Sequence, residues 1–174
     1  MKKRFFIIMI LIISLFNLYP LSFADNTESD FQIYSSGSVL IDSKTGKILL
    51  QKDMNKQLYP ASTTKILTAI IAIEKLDLNS KLTASRSAVM AIPSGYSNAG
   101  IKIGETLSVN DLLEMFLIHS ANEVGYIFAE EISGNIDNFA NLMNQKATEL
   151  GCTNTHFTNP SGIHDVNHYS TAYD

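Results

Sequence analysis

Apolar positions along the chain fall into distinct patterns, and each predicts a different element. From Phe5 to Phe16 nearly every residue is apolar, behind the basic start Met1-Lys2-Lys3-Arg4 and ahead of the small residues around Ser22-Phe23-Ala24. That order predicts a secretory signal peptide over residues 1–24. Asn17 and Pro20 interrupt the run before it reaches the ~20 residues a membrane-spanning helix requires, which favours a cleaved leader over an anchor.

Residues 25–36 are mostly polar and predict a flexible lead. Ser38 to Asp42 and Lys47 to Gln51 are short β-prone runs around Ser43-Lys44-Thr45-Gly46, where Gly46 can take the positive φ of a tight connection. A hairpin is expected there. From Ser62 to Leu76 the apolar residues Ile66, Leu67, Ala69, Ile70, Ile71, Ala72 and Ile73 would surround a helix almost completely, which predicts a centrally buried one. Between Ala84 and Glu105, Ser, Gly and Asn with Pro93, Gly95, Gly100 and Gly104 predict mostly loop. Ser108 and Asp111 resemble a capping box that opens an amphipathic helix ending near His119. Further helices are expected from Glu123 to Ser133, closed by Gly134, and through Phe139, Leu142, Met143, Ala147 and Leu150. No internal repeat or low-complexity segment interrupts this order.

Charge narrows the class of partner. The chain carries 13 Lys and Arg against 17 Asp and Glu. Loss of the leader's three basic residues would leave 10 (13 minus 3), an acidic balance that does not invite nucleic acid. Cys152 is the only cysteine, so no internal disulfide can form. The 174 residues suit a single core and are too few for two, so one domain is expected after the lead.

The chemistry is concentrated at the start of the most apolar helix. In Ser62-Thr63-Thr64-Lys65, a hydroxyl and an amine three residues apart share a helix face. A serine becomes nucleophilic when a base takes its proton, and burial makes a lysine such a base by disfavouring its ammonium form. The same letters also describe a serine capping a helix followed by a lysine reaching for solvent. Ser120-Ala121-Asn122, between two predicted helices, shifts the balance. A second hydroxyl can carry a proton between amine and leaving group, and the Asn122 amide offers a donor and an acceptor to a peptide. Asn122 also suits the cap of the helix that follows.

With these motifs the chain resembles the D-alanyl-D-alanine carboxypeptidases, the low-molecular-mass penicillin-binding proteins of the serine peptidase kind. The resemblance runs from about Gly37 to Asp174. It includes Val39-Leu40-Ile41-Asp42, Thr45-Gly46-Lys47-Ile48-Leu49, Pro60-Ala61-Ser62-Thr63-Thr64-Lys65, Ile103-Gly104-Glu105, Ser120-Ala121-Asn122 and Asn154-Thr155-His156-Phe157-Thr158-Asn159-Pro160-Ser161-Gly162. It implies that Ser62 forms an acyl-enzyme, Lys65 activates it, Ser120 relays the proton and Asn122 orients the donor peptide. The implied partners are peptidoglycan stem peptides ending in D-Ala-D-Ala, with β-lactam antibiotics as covalent inhibitors. The implied place is outside the cytoplasm, at the cell wall or the outer face of the membrane. The implied fold is α+β, of the penicillin-binding-protein/β-lactamase kind. The family's third motif, Lys-Thr-Gly on a later strand, is not reached by Asp174. The resemblance therefore implies a partial transpeptidase-like catalytic domain over residues 37–174, a fold truncated to the first hairpin and the helical region and lacking the C-terminal sheet strands. Lys44-Thr45-Gly46 spells the motif but precedes the nucleophile in a hairpin turn, the wrong context for it.

Competing chemistries are weaker. His156, His164, Asp165 and His168 lie close in sequence, but their polar, Gly-containing surroundings predict a loop rather than a zinc-peptidase helix. Neither metal nor cofactor is expected. A class A β-lactamase shares Ser-x-x-Lys, yet Ala121 stands where that class usually has Asp, and His156, Phe157 and Asn159 occupy the region where its deacylating glutamate belongs. A non-catalytic binding protein or remnant of the same family is the remaining alternative.

Overall fold

The computed structural model describes residues 32–174. The signal peptide expected over residues 1–24 and the first part of the expected lead lie outside the described residues. Ser35 to Asp174 form one compact unit.

Strands β1 (Ser38–Ile41) and β2 (Ile48–Lys52) pair antiparallel, with Val39 opposite Gln51 and a register shift between Leu40 and Ile41. Asp42 builds the turn: its Oδ1 accepts from the backbone N–H groups of Lys44 and Thr45 and from the Thr45 hydroxyl. Lys44 and Thr45 are thus held in an exposed connection, as expected for a structural turn.

The chain then enters a 3-10 turn, Ala61–Thr64, followed by α1, Lys65–Lys75. Ser62 therefore sits in the tighter turn and Lys65 opens the α-helix, a correction to a continuous helix from Ser62. Central burial also needs correction. Leu67, Ala69, Ile71 and Ala72 are buried, whereas Ile66, Ile70 and Ile73 are 60%, 38% and 54% exposed. The residues are apolar all round, but helices pack only one side of α1 among the described residues.

The stretch read as mostly loop is more structured than composition suggested. β3 (Lys81–Thr83) pairs antiparallel with β4 (Thr106–Ser108), and α2 (Arg86–Met90) lies between them. Ser85 caps α2 by accepting from the N–H of Ala88, a local signal that a Ser-rich composition hides.

Helix α3 (Val109–Ile118) is capped by Ser108, whose hydroxyl accepts from Asp111 N–H and donates to the Asp111 carboxylate. Helix α4 (Asn122–Ser133) ends at Gly134 with φ 79°, and α5 (Ile136–Glu149) begins at Asn135, which accepts from Asn138 N–H. The core has two parts. Ala72, Leu112, Phe116, Val124 and Phe128 join α1, α3 and α4, while Leu67, Ile71, Ala129, Phe139, Met143 and Phe157 join α1, α4, α5 and the C-terminal loop. Phe116 and Phe128 meet edge-on with centroids 5.9 Å apart, a favoured aromatic geometry. Helices α1 and α4 belong to both parts, so the residues at their N-terminal ends are carried on elements anchored in the whole of the described core.

Candidate active site

Three segments converge at the start of α1: the Ser62 turn, the α3–α4 junction at Ser120 to Glu123, and the loop at Asn159 to His168. The amine of Lys65 lies where they meet. Lys65 is 3% exposed, which excludes a lysine reaching for solvent. Its Nζ donates to Asn122 Oδ1 at 2.7 Å and to the carbonyl of Ser161 at 2.7 Å, and lies 3.3 Å from Ser62 Oγ. The Phe116 ring centroid lies 5.6 Å from the same nitrogen. Burial pulls its pKa from 10.5 down to about 8, and the charge of Glu123 opposes that pull.

This geometry serves both protonation states. An ammonium has a donor for each of these oxygens. A neutral amine keeps two N–H bonds for Asn122 and Ser161 and turns its lone pair toward Ser62, whose hydroxyl can then donate to it. At pH 7.5 a pKa near 8 leaves about a quarter of the amine neutral, on the order of a hundredfold more than an unperturbed lysine.

Ser62 Oγ also lies 3.1 Å from Ser120 Oγ, so the hydroxyls and the amine form a chain. Both hydroxyls stand on unusual backbone: Ala61, just before Ser62, has φ 47°, and Ser120 has φ 56°. Left-handed conformations at non-glycine residues cost on the order of 1 kcal/mol or more and persist where surroundings fix them. Here they turn Ser62 and Ser120 toward each other.

Asn122 is not the cap of α4. The N-cap position is Ala121, and Asn122 is the first helical residue. Its Oδ1 holds Lys65, its Nδ2 donates to Ser97 O at 2.7 Å, and its backbone N–H donates to the same carbonyl at 3.1 Å. An amide has two N–H donors and two lone pairs, so one of each remains for a peptide.

The third segment is shaped by Asn159, whose Oδ1 accepts from the N–H groups of Ser161, Gly162 and Ile163 at 3.2, 2.8 and 3.1 Å. That turn aims Ser161 O at Lys65. It can approach because Gly162 has no Cβ: at φ 82°, an added Cβ would lie 1.8 Å from Ala61 O. Thr68 on α1 donates to Pro160 O at 2.7 Å. Thr64 meets His168, 2% exposed, at Nε2 over 2.8 Å. Thr158 N–H donates to His168 Nδ1 at 3.1 Å, so Nε2 carries the proton and donates to Thr64. Burial lowers the His168 pKa to about 4. His168 thus acts as a neutral strut behind the Ser62 turn, while His164 packs edge-on against Tyr59 and His156 binds Asn167 O through Nδ1.

The structure brings together the four residues singled out from the sequence, Ser62, Lys65, Ser120 and Asn122. The sequence did not give the contacts that Ser161, Asn159, His168 and Glu123 make around them. Ser161 contributes a backbone carbonyl, which no residue type announces; the others lay in segments read as loop or helix start.

Residues 24–174 match the family described as D-alanyl-D-alanine carboxypeptidase. The chain is 37% identical over 178 residues to the D-alanyl-D-alanine carboxypeptidase DacF of Bacillus subtilis, covering 99% of this chain and 46% of the relative. It is 32% identical over 145 residues to a D-alanyl-D-alanine endopeptidase of Pseudomonas aeruginosa, covering 82% of this chain and 46% of that protein. Penicillin-binding protein 5 from Haemophilus influenzae superposes with a TM-score of 0.77 at 34% identity, over 82% of this chain and 43% of that one. The fold is thus that of the penicillin-binding proteins, and the chain spans about half the length of the curated relatives it matches.

Proposed function

Because the chain belongs to the D-alanyl-D-alanine carboxypeptidase family, we propose that it works as a serine peptidase that removes the terminal D-alanine from peptidoglycan peptides. Ser62 Oγ attacks the carbonyl carbon of the penultimate D-alanine as its proton passes to Lys65 Nζ. The tetrahedral intermediate collapses, the C–N bond breaks, and the departing D-alanine nitrogen takes a proton delivered from Lys65 through Ser120. Water then attacks the Ser62 ester as its proton passes to Lys65, the ester C–O bond breaks, and Lys65 returns that proton to Ser62 Oγ, which releases the shortened peptide and restores the serine hydroxyl and the neutral amine. Asn122 fixes the amine and offers its remaining N–H and lone pair to the peptide backbone.

The observation that carries this reading is Lys65 itself: buried, held by two fixed oxygens, and 3.3 Å from the Ser62 hydroxyl with a pKa near 8. Penicillins would acylate the same serine, and the leader expected at residues 1–24 supports a place outside the cytoplasm. Release of D-alanine from a peptide ending in D-Ala-D-Ala, lost in Ser62→Ala, is the expected result. No release by the wild-type protein, or undiminished release by Ser62→Ala, would refute the assignment.

A further inference from the structure

Glu123 follows Asn122 at the start of α4 and is 2% exposed. One carboxylate oxygen, Oε1, accepts from the backbone N–H of Ala99 at 2.7 Å. The other, Oε2, is buried without a hydrogen-bond partner. A buried carboxylate left half satisfied is costly. The motif reading of Ser120 and Asn122 gives it no role, and a helix start needs no buried acid.

Two relations explain its presence. Asn122 grips Ser97 O through its backbone and side-chain N–H groups, and Glu123 grips Ala99 N–H. Consecutive residues of α4 thus hold one strap, 97–99, and fix the amide whose Oδ1 receives Lys65. The second relation is electrostatic. Lys65 is the buried cation of this site, and Glu123 is the buried anion that favours its charged form.

We propose that Glu123 is a positioning residue that acts through Lys65: it anchors the strap that orients Asn122 and supplies the counter-charge that lets the amine recover its proton. The inference rests on the reading of Lys65 as base. A lysine in an uncompensated apolar site would give up its proton readily but would take the serine proton poorly. The buried anion keeps the amine basic enough to accept that proton during attack and pass it on to the leaving group. Other titratable groups near the site are Tyr126 on α4, raised by burial and close to Tyr96, and His168 behind Thr64, lowered to about 4. His119, beside Ser120, is exposed.

The test follows the Lys65 side chain by carbon NMR through a pH titration of the wild-type protein, Glu123→Gln and Glu123→Asp. Gln can still accept from Ala99 N–H but carries no charge; Asp keeps the charge and shortens the reach. Glu123→Gln should move the Lys65 midpoint to lower pH by about one pH unit, with slow exchange at the Ala99 amide retained. Glu123→Asp should leave the midpoint close to wild type while speeding exchange at Ala99. An unmoved Lys65 midpoint in Glu123→Gln would overturn the proposal. Should that variant not fold, the wild-type Glu123 carboxyl carbon decides: a step in its resonance at the Lys65 midpoint supports the coupling, and a flat trace there refutes it. Lys65 titration is read without turnover, so failure of the peptidase assignment would appear separately, as absent D-alanine release.

Discussion

The two sides of the site are built to different standards. On the amine side, Lys65 is buried and bound at 2.7 Å to two oxygens that are themselves fixed, Asn122 Oδ1 by the grip on Ser97 and Ser161 O by the Asn159 turn. On the hydroxyl side, Ser62 is exposed, its contacts to Lys65 and Ser120 are 3.3 and 3.1 Å, and the backbone at Ala61 and Ser120 is left-handed. A base must keep its pKa through every turnover, which demands a fixed, dry environment. A nucleophile must reach a substrate, which demands access and contacts loose enough to tighten when the substrate arrives. The contrast fits the division of labour proposed for the site: the helical core and the C-terminal loop hold Lys65, and turns with left-handed backbone present the alcohols.

Substitutions on either side should separate these duties. Ser62→Ala removes the attacking atom, and acyl transfer should fall roughly 10⁴-fold or more in a D-alanine release assay, with the fold unchanged by circular dichroism. Lys65→Met should lose on the order of 10²- to 10⁴-fold in acylation rate. Unlike the serine change, it should also alter stability, because Asn122 Oδ1 and Ser161 O lose their donor at about 1–3 kcal/mol each. A denaturant melt that left stability untouched would break the distinction between a fixed base and a loose alcohol.

Ser120 sharpens the comparison from the other side. Ser120→Ala and Ser120→Gly both remove the hydroxyl and should slow turnover to similar extents. Only glycine relieves the positive φ, so the glycine variant should be more stable than the alanine variant by about 1 kcal/mol. Equal thermal midpoints for the two variants would show that the backbone there stores no strain.

The last effect is read in the pH dependence of stability. His168 is held near pKa 4, below its unfolded value of 6.5. Between these values the unfolded chain binds the proton more readily than the folded one, so stability is complete above about 6.5 and declines as pH falls toward 4. The Lys65 pKa is likewise lowered from 10.5 to about 8, so its burial costs stability through neutral pH and is relieved as pH rises past 8. Urea midpoints measured from pH 4 to 10 should therefore show His168 as an acid-side slope, and the slope should flatten when Thr64 and His168 are replaced together by an apolar pair.

The legible part of this protein is the part written in side chains at fixed spacing. Ser62 to Lys65 could be read because helical spacing puts residues three apart on one face, and Ser120 to Asn122 because a hydroxyl and an amide two residues apart stand at the junction of two legible helices. The caps at Ser108 and Gly134 could be read because their chemistry is local. Ser161 escaped because its contribution is a backbone carbonyl, aimed by an asparagine in a segment that reads as loop. Glu123 escaped because an acid in the first turn of a helix is ordinary at the surface, and only packing reveals that this one is buried. Helix α2 and strands β3 and β4 are too short for a period to register. The exposed flank of α1 at Ile66, Ile70 and Ile73 shows the reverse failure, since apolar sequence reports a capacity for burial and not the partner that provides it.

The central claim is that Lys65, partly uncharged near neutral pH, takes the proton of Ser62. The most direct measurement is the rate at which a penicillin acylates the protein as a function of pH, followed by intact mass spectrometry with the adduct mapped to its peptide. The account predicts a single adduct on Ser62 whose rate rises about tenfold per pH unit below pH 8 and levels off above it. An adduct on another residue, or a Ser62 adduct whose rate is flat from pH 6 to 9, would contradict it.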